Sequence, residues 1–183
     1  MSAFNRRSVL KFGVGGAAAL AMGGVGLYLQ DTVMRTAPAA LRVLDERQYS
    51  ILAAIAETLC PGAPGLPDAN VLQVALKVDH LLDRMDPADA VEFCQAITLM
   101  ENVITGLVFD QRVKTLSASS PSKRLRALDG WRTSRIYLRR KAFKAVSGMC
   151  MAAYWANPEV YAFIGYPGPP PLGAASPRFN RGR

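Results

Sequence analysis

The 183-residue chain reads as an all-α protein: a compact bundle of about four main helices, a short C-terminal helix and an extended tail rich in proline and glycine. Three observations point there. Beyond residue 40 apolar side chains recur at three- and four-residue spacing, and no segment sustains the every-second-residue alternation of a half-buried strand. The periodic runs also open on Asp86-Pro87, Ser120-Pro121 and Asn157-Pro158, a capping residue followed by a proline suited to a first helical turn. Half of the residues are apolar and a fifth are charged, which is enough for a real core. The organisation that follows is a leader over 1–40, a helical domain over 41–165 and a tail over 166–183. The roughly 140 residues beyond the leader make one domain of ordinary size, too small for a large cofactor-binding enzyme with a lid.

Asp45 caps the first helix, with Gln48 in capping-box position; Ile51, Leu52, Ile55 and Leu59 form its apolar face and Pro61 ends it. The Pro- and Gly-rich loop from Cys60 to Asp68 excludes regular structure. Val71, Val74, Ala75, Val78, Leu82 and Met85 line the second helix, with His80 opposite. The third runs from Asp86 to about Phe109. At about 100° per residue it places Ala90, Cys94, Ile97, Ile104 and Val108 on one face, with Glu101 in the middle of it. The last long helix extends from Ser120 to about Tyr154, with Gly130 as a weak point. Leu128, Trp131, Leu138, Ala142, Val146 and Met149 share an arc of it, and Arg132, Arg135 and Arg139 form a ridge beside that arc. A buried carboxylate needs partners, so Glu101 is expected to accept hydrogen bonds from at least one of these arginines, with Trp131 in the core and the remaining arginines free for a partner. A short helix from Asn157 stops at Gly165. The tail then adopts extended polyproline geometry suited to docking through Tyr161, Tyr166, Pro167, Gly168 and Pro169.

Asn5-Arg6-Arg7-Ser8-Val9-Leu10-Lys11 resembles the twin-arginine export consensus, with Arg6, Arg7, Leu10 and Lys11 as the matching residues. An uncharged stretch rich in Gly and Ala follows to Leu29, and six glycines weaken it as a membrane-spanning helix. Export through the twin-arginine translocase implies a periplasmic protein that crosses the membrane folded and escorts a partner. The alternative is a retained leader that holds the domain at the membrane, with Arg139-Arg140-Lys141 at the lipid surface. Ala37-Pro38-Ala39 has the small-x-small form of a cleavage site. Cys60, Cys94 and Cys150 lack the spacing of a zinc, iron–sulfur or haem site. In an oxidising compartment Cys94 and Cys150, both on long helices, are the candidate disulfide, and buried free thiols are the alternative.

The formal charge of +8 conceals a division. Eleven acids and three bases between Asp45 and Asp110 give −8, whereas eleven bases and one acid between Arg112 and Lys144 give +10. The acidic half and the export signal argue against nucleic acid as a partner. No nucleophile stands beside a base, His80 is the single imidazole, and Gly13-x-Gly15 lies inside the leader, so catalysis by this chain is not expected.

Several segments, in order, resemble the small-subunit family of periplasmic flavin-dependent dehydrogenases, the gluconate 2-dehydrogenase subunit 3 type. They are Ile51 to Leu59 with a proline close behind, Leu128-x-x-Trp131-x-x-Ser134, Arg139 to Lys144, and Asn157-Pro158-Glu159-Val160 leading into Ile164 to Pro170. Cys60 departs from the aliphatic or aromatic residue expected there. The resemblance implies a non-catalytic subunit without a cofactor of its own. It would bind a large flavoprotein that carries FAD and oxidises a sugar, sugar acid or alcohol, and a cytochrome c subunit often completes such complexes.

Overall fold

The computed structural model describes residues 32–102 and 114–169. Among these, six helices and no strand are present: α1 (Glu46–Leu59), α2 (Val74–Leu82), α3 (Pro87–Glu101), α4 (Pro121–Arg132), α5 (Tyr137–Trp155) and α6 (Pro158–Ile164). The fold is therefore all-α. α1 is the central element and packs against α2, α3, α4 and α5, while α5 touches each of the other five helices.

Local chemistry sets several boundaries as the sequence predicts. At the start of α1 the Gln48 N–H donates to Asp45 Oδ1 at 2.7 Å and the Asp45 N–H donates to Gln48 Oε1 at 3.0 Å, a reciprocal capping box. Asp86 accepts the Ala88 N–H at 2.8 Å ahead of Pro87, and Gly165, at φ 68°, ends α6 in the left-handed conformation that glycine adopts without strain. Asn157 precedes α6 but serves α5: its Nδ2 donates to the carbonyls of Ala153 and Tyr154 at 2.7 and 2.8 Å.

Three expectations about helix extent are corrected. α2 begins only at Val74, because the Asp68 carboxylate accepts the N–H groups of Asn70 and Val71 in a local turn and Gln73 adopts a left-handed φ of 52°. Val71 and Met85 accordingly lie outside the helix and are exposed, while Val74, Ala75, Val78 and Leu82 are buried. α3 stops at Glu101; Ile104, Val108 and Phe109 fall outside the described residues. The expected last long helix is two helices. It breaks after Thr133: the Ser134 N–H turns to the Trp131 carbonyl three residues back at 3.4 Å, and Ser134 Oγ accepts the Ile136 N–H at 3.2 Å. Gly130 remains inside α4.

The chain ahead of α1 is stitched to the bundle by polar contacts. The N–H groups of Arg42, Val43 and Leu44 donate to the fully buried Asp79 carboxylate at 2.8, 3.0 and 2.8 Å. Further out, the Arg35 N–H donates to Ser50 Oγ and the Val33 N–H to Ser117 Oγ. Contacts with the domain thus begin ahead of residue 41.

Candidate partner-binding site

Where α3 and α5 pack together, small side chains leave the interface unfilled. Ala96 on α3 and Ala145 and Gly148 on α5 border an open groove of about 740 Å³ whose apolar walls are Met85, Phe93, Leu99, Leu138 and Met149. An added Cβ at Gly148 would meet nothing within 4 Å, so the gap there is open space. Glu92 and Lys141 close part of the rim with an exposed 3.1 Å ion pair. The Lys141 ammonium is held above its ordinary pKa, first by the hydrogen bond to Glu92 and then by that carboxylate's charge. An apolar trough between two helices with a charged rim has the form that receives another helix.

The predicted arginine ridge does not form, because the break at Thr133 separates Arg132 from Arg139. Arg132 turns back to Asp129, with contacts of 2.9 and 2.7 Å. Arg139 is buried, its guanidinium carbon 4.6 Å from the centroid of the Trp131 ring. Arg135 is exposed at the turn. Trp131 itself is buried in the core as expected.

Glu101 is buried, also as expected, but its partner is different. Ser117 supplies both donors, its N–H to Oε2 at 2.9 Å and its hydroxyl to Oε1. Among the described residues, these two donors from one residue are the carboxylate's partners. The run Thr115-Leu116-Ser117-Ala118-Ser119-Ser120 was the available signal, a cluster of hydroxyls that buries Thr115, Ser117 and Ser119.

A second carboxylate site has no counterpart in the sequence reading. Glu57 Oε2 accepts from Arg35 Nη2 at 2.8 Å and from Arg124 Nη1 at 3.1 Å, and Arg124 Nη1 also donates to the Ala54 carbonyl at 2.9 Å. Burial pushes the Glu57 carboxyl upward, but Arg35 and Arg124 together outweigh it and hold its pKa below the ordinary value. Arg124 is almost fully buried and belongs to the basic segment, whereas Glu57 belongs to the acidic one, so attraction between the two halves is realised here.

The Cys94–Cys150 pairing is corrected: all three cysteines are free thiols. Burial, followed by the charges of Asp45 and Asp79, raises the pKa of Cys94, whereas Cys150 lies near Cys60. Cys60 Sγ stands 3.8 Å from Met151 Sδ. Burial pushes Cys60 up to about 11 and, with Cys60 adding to the effect, Cys150 up to about 12, so both remain thiols at neutral pH.

The tail folds back on α6 rather than standing away from it. The Tyr166 N–H donates to the Tyr161 carbonyl at 2.9 Å, their rings meet edge to face at 5.1 Å, and Gly168 (φ 93°) lies against the Tyr161 ring. Phe163, Ile164 and Tyr166 remain about half exposed, and Pro167 and Pro169 continue the segment. Pro170, like Arg6, Arg7, Leu10 and Lys11 of the leader, lies outside the described residues. His80 is half-buried in the last turn of α2. Among the described residues no group of three or more His, Cys, Asp or Glu side chains could hold a metal ion, and no helix is long and apolar enough to cross a membrane. Comparison with known proteins gives no match: no family model, no curated protein and no solved structure is similar to the chain.

Proposed function

We propose that this chain is a non-catalytic small subunit and export escort of a larger periplasmic dehydrogenase, whose FAD resides in that partner. The open α3/α5 groove carries the assignment, because an apolar trough of this size on a small helical domain calls for a protein ligand. The leader led by Arg6 and Arg7 adds the route, and the segments resembling dehydrogenase small subunits add the class of partner. In this scheme the chain covers an apolar helix of the folded flavoprotein in the cytoplasm. The groove supplies affinity chiefly through Leu138 and Met85, its exposed apolar walls, over a floor of Phe93; covering an exposed apolar side chain completely contributes about 1.5–3 kcal/mol, and the part-buried Leu99 and Met149 contribute less. Its rim, acidic at Asp89 and Glu92 and basic at Lys141, sets the direction in which the partner helix lies. The twin-arginine leader then carries both chains through one translocase.

Gly148→Trp tests this directly. It fills the groove from a position with no neighbour for a Cβ, so the helical circular-dichroism signal should persist while co-purification of a larger, yellow, flavin-carrying chain is lost. Arg6→Lys with Arg7→Lys should leave both chains in the cytoplasm. Partner export that continues unchanged would remove the escort role, and co-purification undiminished by Gly148→Trp would remove the groove from it.

A further inference from the structure

α5 carries a second surface, distinct from the groove. Tyr137, Arg140 and Lys144 stand at i, i+3 and i+7, which places them on one stripe of the helix, and all three are exposed; Lys141 beside them belongs to the groove rim through its pair with Glu92. The centre of this stripe lies about 100° around α5 from the arc that lines the groove. At its head Ile136 is 44% and Tyr137 71% exposed, an aliphatic and an aromatic side chain side by side on the turn that joins α4 to α5. Arg140 is held in place there: its Nη1 donates to the Ser134 carbonyl at 2.6 Å, and its guanidinium carbon lies 5.9 Å from the Tyr137 ring centroid. From Arg132 to Lys144 the sequence holds six bases and no acid, and of these only Arg139 is buried.

We infer that this stripe docks on an anionic phospholipid bilayer. Ile136 and Tyr137 enter the boundary between headgroups and acyl chains, and Arg135, Arg140 and Lys144 meet lipid phosphates. Two features favour a lipid surface over an acidic protein. The charge along the stripe has one sign over two helical turns, as a leaflet of anionic lipid requires. The apolar tips also stand out from a turn beside that charge, the arrangement of an interfacial helix, with the aromatic ring at the polar boundary and long basic stems reaching the headgroups. The inference goes beyond the accessory-subunit assignment and does not depend on it, since the groove opens to a different side of α5.

The experiment uses the full chain carrying Tyr137→Trp, with vesicles whose acyl chains are brominated. The wild-type chain, with Trp131 and Trp155, supplies the baseline. In vesicles containing phosphatidylglycerol the introduced indole should be quenched beyond that baseline, and in vesicles of phosphatidylcholine alone it should not. Arg140→Gln with Lys144→Gln should weaken binding to the anionic vesicles about thirtyfold, the effect of two lost surface charges. Arg135→Gln with Lys144→Gln, which leaves the Ser134 contact in place, should do the same. A chain that floats with the vesicles while the introduced indole stays at baseline is held by its leader, and the inference fails. It also fails if both double variants bind vesicles like the wild type but lose a co-purifying protein, because the occupant of the stripe is then that protein.

Discussion

α1 and α5 are the two helices that most others touch, and they are covered in opposite ways. From Tyr49 to Ala56 every residue of α1 is buried, so neighbours close on it from all sides. α5 buries Arg139, Ala142, Val146, Cys150 and Ala153, a single stripe at three- and four-residue spacing, and leaves its other side to solvent. Both helices use small residues. In α1, Ala53, Ala54 and Ala56 let adjoining helices approach; in α5, Ala145 and Gly148 face no neighbour and leave a groove. The same residue type makes a core where a second helix arrives and a binding surface where none does.

The largest effect separating the two helices is expected from truncating one apolar side chain on each. Ile55→Ala, at a site with no exposure, should cost about 3 kcal/mol through lost burial and a cavity. Leu138→Ala, 59% exposed, should change stability by less than about 0.5 kcal/mol while weakening capture of the proposed partner. Urea midpoints measure both, and similar shifts would show that α5 is core on its outer side too.

Glu57→Gln, in the last turns of α1, should cost about 2 kcal/mol at neutral pH, because Arg124 stays buried with a weakened partner. The sign with pH follows from the lowered pKa of Glu57 in the folded state. Its contribution is complete above the ordinary value of 4.5 and disappears as the pH falls through the folded value. The stability gap between wild type and variant should therefore narrow in acid, and a gap that stays constant from pH 7 to pH 3 would place the effect elsewhere. The smallest change is Gly148→Ala on the open side of α5. With nothing within 4 Å of the new Cβ, it should raise stability by about 0.5–1 kcal/mol, read as an increase in melting temperature. A loss instead would mean that the groove is already occupied.

Much of the architecture was legible because its determinants are local. The Asp45–Gln48 box, Asp86-Pro87, Asn157-Pro158 and Gly165 each act within about four residues, and the chain obeys them. The break at Thr133–Ile136 is less legible than the caps: Ser134, whose hydroxyl accepts the Ile136 N–H, marks it, while Gly130 stays inside the helix. The same break dissolves the arginine ridge, whose geometry requires one continuous helix. The groove was hidden for a different reason. Ala96, Ala145 and Gly148 carry no sign of whether a neighbour covers them.

Sequence by itself determined the helical class, most helix ends, the inward position of Glu101 and Trp131 and the division into acidic and basic halves. Each of these depends on spacing along the chain or on whether a side chain prefers water. Only the tertiary structure decided which groups meet. Glu101 took Ser117, 16 residues away, Asp79 took the backbone of Arg42, 37 residues away, and Glu57 took Arg124, 67 residues away. A buried carboxylate must find donors, and periodicity foretells that need. Which donors arrive depends on how whole helices pack, and many residues distant in the chain could have supplied them equally well.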